Sequence, residues 1–389
     1  MRLAPVPLVV ADERALSHVL LVATGASRIA VDVEASGMFA YRARPCTVQL
    51  AWGEPLRIVI VDTLATSIAP LAPLLGPGGP VKIVHDVGFD ARLLAESGIE
   101  IGNVHDTSIA ARMLGRAATG LASLLDAELG VHVSKALQHH DWRIRPLDER
   151  GIAYLATDVV HLETLERKVW DEAVALGIED AVLEETRHRI ATAIAAARAP
   201  VAPPYARIKG ASKLAPPELG ALRLVADLRE VEAQRRDVPV HNVASADALI
   251  AIVQARPATV GALSGVRGIA TRTPDERAFA SAIIEALSAA PSEIPPGERA
   301  HFEPQRLAPD VVKARRGREA RLLAWRRGEA KRRGVDEQVV LPGHCVHDAV
   351  DAGISTVGEL ASVPGIGTFR VERDGEAIVA AVRGDGPVP

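Results

Sequence analysis

The stretch Arg28–Val33, RIAVDV, continued by Glu34, decides how this chain is read. Ile29, Val31 and Val33 are β-branched and suit a buried, pleated strand. Side chains at i and i+2 of a strand share a face. Asp32 and Glu34 therefore leave an otherwise apolar strand side by side. Carboxylates so placed repel each other, and a divalent cation between them relieves the repulsion, because hard cations take oxygen ligands. A strand end open to water relieves it as well, and the strand alone leaves both readings open.

Working outward, Cys46–Trp52 (CTVQLAW), Arg57–Val61 (RIVIV) and Val81–His85 (VKIVH) are further short strands. Helices are expected over Leu64–Leu75, Gly88–Ser97, Thr107–Gly115 and Leu121–Leu129, with one long helix over Pro146–Trp170. Strands grouped first and then mixed with helices indicate an α/β domain with a mixed sheet. Arg198–Lys213 is proline-rich and reads as a linker, as does Pro291–Pro296 (PSEIPP); the text from Pro216 onward is helical. Helical regions over Pro309–Gly334 and Val357–Val382 end the chain. Two stretches share a plan: a helix ending in a basic cluster, a Val-rich turn, a helix, and a closing GALSGVRGI (261–269) or GELASVPGI (358–366). That plan suggests a tandem duplication of a small helical domain. The expected division is 1–200, a linker over 201–214, a helical domain over 215–290, a linker over 291–308, and a second helical domain over 309–389.

The chain has 389 residues, 48% hydrophobic and 24% charged, values that exclude a disordered or collagen-like protein. Aromatic residues make up only 3%, so the core must come from Ala, Val, Leu and Ile. Two distant cysteines, Cys46 and Cys345, exclude a disulfide framework and a multi-cysteine zinc site. No apolar run is long enough for a membrane span, and no secretory signal is read. A soluble, cytoplasmic protein with no membrane partner is expected. The net charge of −4 points to no partner, but residues 306–333 hold 11 basic against 3 acidic side chains.

Further carboxylates fall near helix starts. Asp86 and Asp90 in HDVGFD, and Asp106 in HDTSIAARML, each suit capping or dipole roles on local pattern. Tyr154 and Asp158 are i and i+4 on the expected long helix and share one face. Spacing alone is also met by a tyrosine hydrogen-bonded within its own helix.

Taken in order, VDVEAS, KIVHDVGFDARLL and YLATDVVHLETL resemble the three exonuclease motifs of the ribonuclease D family. Between them, HDTSIAARMLG resembles the family's Asp-Thr-x-x-Ala segment, and DWRIRPLDERGIAYLATDV its Asp-Trp-x-x-Arg-Pro-Leu approach to the third motif. The likeness covers about residues 20–245. RIKGASKL and EVEAQRRDVPV resemble the family's linker and the start of its helical HRDC domain, and the last helical unit looks like a second one. The resemblance implies a ribonuclease H-like exonuclease domain followed by two small all-helical HRDC-like domains. It implies catalytic residues Asp32, Glu34, Asp90, Tyr154 and Asp158, with the four carboxylates holding two divalent ions, Mg²⁺ or Mn²⁺. In that scheme Asp32 bridges both ions, Glu34 and Asp158 hold the ion that activates water, Asp90 acts on the second ion, and the Tyr154 hydroxyl orients the attacking water. The implied activity is 3′–5′ removal of nucleoside 5′-monophosphates from RNA with a free 3′ end, such as tRNA precursors, with no protein partner. One departure is Ala35, where the family usually has an aromatic residue after the D-x-E pair. The alternatives are a 3′–5′ DNA exonuclease of the same superfamily and a catalytically silent nucleic-acid-binding protein.

Clustered positive charge attracts phosphates and an aromatic can stack on a base. Nucleic-acid contact is accordingly expected at Arg315, Arg316, Trp325, Arg326, Arg327 and Arg332 of the basic stretch. The VPGIG segment, 363–367, is similar to turns whose backbone N–H groups face a phosphate.

Overall fold

The structure, a computed structural model, describes residues 5–302 and 307–385. It divides into two units: Met1–Ala35, Pro45–Arg198 and Leu307–Pro389 form the first, and Ser36–Arg44 with Ala199–Arg306 the second.

The first unit holds a six-stranded mixed sheet in the order β1-β4-β3-β2-β5-β6. The strands are β1 (Leu8–Val10), β2 (Arg28–Ala35), β3 (Pro45–Trp52), β4 (Arg57–Asp62), β5 (Val81–Val84) and β6 (Val104–Asp106). β2 runs antiparallel to β3, with Asp32 opposite Gln49 and Glu34 opposite Thr47, and parallel to β5. All eight residues of β3 are buried, as expected of a strand covered on both faces. The flanking helices are α1 (Glu13–Ala23), α2 (Ala72–Leu75), α3 (Val87–Glu96), α4 (Thr107–Met113), α5 (Leu121–Leu129), α6 (Glu149–Val160), α7 (Leu162–Ala175) and α8 (Glu179–Arg198).

The expected long helix over Pro146–Trp170 is two helices, broken at His161. Ala156 and Val159 of α6 pack on Ala30, Ala51, Ile58 and Ile83 of the sheet. Leu165, Val169 and Ala173 of α7 join a different cluster with residues of α4, α5 and α8. A bend at His161 lets one amphipathic stretch serve both. The expected helix over Leu64–Leu75 shrinks to a 3₁₀ turn, Ala69–Leu71, and α2. Pro70 and Pro73 lack the N–H groups a longer helix needs. The three-residue strands β1 and β6 escape sequence reading because they are too short to show a period.

The helical part of the second unit is α9 (Pro216–Arg236), α10 (Val240–Val243), α11 (Ala246–Ala255), α12 (Val260–Leu263) and α13 (Pro274–Ser288), around a core that includes Leu222, Leu249 and Ile283. Ser36–Arg44 belongs to this unit, where the Tyr41 hydroxyl donates to Glu230 at 2.7 Å. The chain then repeats the plan within the first unit as α14 (Pro309–Arg333), α15 (Glu337–Val340), α16 (Gly343–Ala352), α17 (Val357–Ala361) and α18 (Thr368–Arg383). Five helices in the same long-short-medium-short-long succession support the duplication read from sequence.

Candidate active site

The site is built on β2, α3 and α6. Strand alternation puts Asp32 and Glu34 on one face of β2, and the helical i, i+4 relation puts Tyr154 and Asp158 on one face of α6. Packing of Ala156 and Val159 on the sheet brings that helix over the strand. Carboxylate oxygens of Asp32, Glu34 and Asp158 then lie within 4.8 Å of one another, all three side chains half-buried. Asp90, in the first turn of α3, is 8% exposed and close enough to feel the charges of Asp32 and Glu34, but stands outside that trio.

The electrostatics follow from crowding. Burial pushes Asp32 up to about 6. Burial and the Asp32 charge push Glu34 up to about 8. Burial, then the charges of Asp32 and Glu34, push Asp158 up to about 9. Asp90 is raised by burial and by Asp32, Glu34, Asp106 and Asp86. Burial and the same carboxylates hold the Tyr154 phenol above its ordinary value, so its hydroxyl keeps its proton at neutral pH. Oxygen-only donors that resist ionisation without a counter-charge fit a hard divalent cation.

Sequence reading of Asp106 as an N-cap captured part of its role. Its carboxylate accepts from the backbone N–H groups of Ser108 and Ile109 at 2.8 and 3.1 Å, capping α4. It also accepts from Asp86 and Val87 at 3.1 and 2.8 Å, clamping the turn that launches α3 and its Asp90. Asp86 sits there at φ +64 with no side-chain cap bond of its own.

Two further residues lay inside the quoted Asp-Trp-x-x-Arg-Pro-Leu segment without being singled out. Trp142, 1% exposed, lies beside the Glu34 carboxylate, where its indole favours the ionised form against burial and the Asp32 charge, and stands 5.7 Å, ring to ring, from Tyr154. Arg145 grips Asp62 through two bonds of 2.6 and 2.8 Å and also donates to the carbonyls of Trp142 and Cys46. The rarity of tryptophan, four in the chain, was the available signal.

The basic helix α14 is corrected in part. Arg326 is only 6% exposed, with its Nε donating to the Glu337 carbonyl at 2.9 Å, so it is a buried brace and not a nucleic-acid contact. Trp325 packs against the core of the C-terminal helices. Arg315 pairs with Asp351, and Arg332 pairs with Glu329. Arg327 donates back to the Leu323 carbonyl, and Arg316 is exposed.

The fold and the acidic cluster define a nuclease class, and comparison with known proteins agrees. Residues 7–173 match the family described as 3′-5′ exonuclease, and residues 218–287 and 316–382 each match the HRDC domain. A ribonuclease D of Gluconacetobacter diazotrophicus is 30% identical over 294 residues, 73% of this chain and 72% of that protein. Ribonuclease D of Escherichia coli is 28% identical over 244 residues, 61% of this chain and 63% of the relative. The crystal structure of Escherichia coli RNase D, "an exoribonuclease involved in structured RNA processing", shares the fold with a TM-score of 0.71 at 23% identity, covering 97% of this chain and 99% of that one. The chain belongs to the ribonuclease D family and is a 3′–5′ exoribonuclease.

Proposed function

We propose that this exoribonuclease trims the 3′ ends of structured RNAs such as tRNA precursors in the cytoplasm, releasing nucleoside 5′-monophosphates, with Asp32, Glu34, Asp90 and Asp158 holding two divalent ions, Mg²⁺ or Mn²⁺. The observation that carries the reading is the meeting of three carboxylates from β2 and α6 within 4.8 Å. Two ions held there supply Lewis acidity for the attacking and leaving oxygens and reverse the local negative charge that would repel RNA. The Trp142 indole beside Glu34 favours its ionised, ion-holding form. The protonated Tyr154 hydroxyl can donate to, and so orient, a water in the cup. Asp106 holds the α3 start from which Asp90 projects.

Family membership supports RNA over DNA. The absence of any helix long and apolar enough to cross a membrane, among the described residues, is consistent with the cytoplasmic placement. We take 1–200 as the catalytic domain and 215–290 and 309–389 as the HRDC domains, joined through 201–214 and 291–308. Phosphate contact on α14 is assigned to Arg315, Arg316, Arg327 and Arg332. The test uses end-labelled RNA and DNA of matched sequence with Mg²⁺, Mn²⁺ or EDTA. Stepwise 3′ shortening of RNA that EDTA stops supports the reading. Equal shortening of DNA, or binding without degradation, overturns it.

A further inference from the structure

The two HRDC repeats differ at one turn. In the first, Gly268 (φ +93) and Ile269 close the turn, and α13 starts after a further segment that carries its own cap. There Thr273 Oγ1 accepts from the Glu276 N–H at 3.2 Å, and the Glu276 carboxylate accepts from the Arg272 and Thr273 N–H groups at 2.7 and 2.9 Å. In the second, Gly365 (φ +75) and Ile366 lead through Gly367 directly into α18, and the N-cap position carries no side chain.

The missing acceptor comes from elsewhere in the chain. Glu184 of α8, the last helix of the exonuclease domain, accepts from the Phe369 N–H at 3.2 Å through Oε1. Its Oε2 accepts from the guanidinium of Arg370 at 3.1 Å. Arg370 is fully buried and also donates to the Ile366 and Val339 carbonyls, each at 3.3 Å. The approach depends on the glycines. A Cβ on Gly367 would lie 1.9 Å from the Glu184 carboxyl, and one on Gly365 would lie 2.5 Å from His188 Nδ1. His188, one turn along α8, stacks on His344 of α16 with ring centroids 3.8 Å apart.

Backbone N–H groups at a helix start attract an anion. We propose that the Val363–Gly367 turn is an internal latch: Glu184 takes the anion position at the start of α18, fastens the second HRDC repeat to the exonuclease domain, and withholds that turn from RNA. The basic helix α14 of the same repeat stays available, so the repeat's RNA contacts and its fastening use different surfaces.

The test is hydrogen exchange on the full-length protein in EDTA, with and without a short single-stranded RNA oligonucleotide. Amides 366–371 should exchange slowly in the free protein and be unchanged by RNA. A Glu184→Gln/Arg370→Met double variant, which leaves no lone buried charge, should speed their exchange at least about tenfold while leaving β2–β5 protected. RNA-dependent slowing at 366–371 in the unaltered protein overturns the proposal. So does unaltered exchange there in the folded double variant. If that variant does not fold, the RNA comparison on the unaltered protein decides alone.

Discussion

Asp158 on α6 brings a carboxylate oxygen to within 4.8 Å of those of Asp32 and Glu34 on β2. Burial and mutual proximity raise each of the three acids above its ordinary value. The metal-free cluster thus holds protons that a bound cation would displace, and several expected outcomes follow from that.

Removing one member of the cluster should separate function from stability. Asp32→Asn or Asp158→Asn should cut RNA hydrolysis by about a thousandfold or more, the scale expected when metal-centred catalysis is lost. The same variants should be more stable than the parent in EDTA, by on the order of 1 kcal/mol at neutral pH once partial exposure is discounted. Calorimetry in EDTA beside a turnover assay reads both. Near-parental turnover would remove the residue from the site.

The metal-free protein should lose stability as pH rises. The folded-state values of about 6, 8 and 9 lie above the unfolded values near 4. Between these limits the folded chain binds more protons than the unfolded one, so unfolding free energy falls with pH. The contribution is fully present below about pH 4 and is lost as pH passes through about 6 to 9. The Mn²⁺-induced rise in melting temperature should therefore be larger at pH 8.5 than at pH 6, reflecting the conditions given by the raised values. A rise that shrinks with increasing pH would contradict the cluster electrostatics.

Tyr154→Phe removes a hydroxyl and little volume. It should slow the single-turnover rate by roughly 10- to 100-fold with Mn²⁺ affinity within about twofold of the parent. Metal affinity by titration and the rapid-quench rate distinguish orientation of water from metal holding.

Asp106→Ala withdraws an acceptor from four backbone N–H groups at two helix starts. The loss should be about 2–4 kcal/mol by urea unfolding, above the usual single-cap range of about 1. An effect under about 0.5 kcal/mol would mean that the clamp is dispensable.

On α14, exposure should decide phenotype. Arg316→Ala should weaken RNA binding and lower the salt slope by about one contact while leaving melting unchanged. Arg326→Ala should lower melting through the lost Glu337 carbonyl bond, with the salt slope intact. The reverse pattern would return Arg326 to the RNA face.

Much of this was legible in the sequence because it is written locally. The D-x-E pair needs only strand alternation, and Tyr154 with Asp158 needs only helical spacing. Leu121–Leu129 coincides with α5, and the expected Pro309–Gly334 differs from α14 only in that Gly334 is the left-handed cap. The duplication is carried by repeated text. The break at His161 was not legible, because apolar periodicity marks a helix face but not which of two cores will bury each turn.

What only the tertiary structure decided is proximity and burial. Asp32 and Asp158 are distant in the chain, and their meeting depends on Ala156 and Val159 seating α6 on the sheet. Arg326 and Arg316 are the same residue type on one helix, yet one is buried and the other exposed. The VPGIG turn reads as a phosphate cradle until the Glu184 carboxyl is seen packed against Gly367 and accepting from the Phe369 N–H just beyond it. Composition and spacing fix which groups can act; the free energy of desolvating each one depends on neighbours brought from far along the chain, and that no local reading contains.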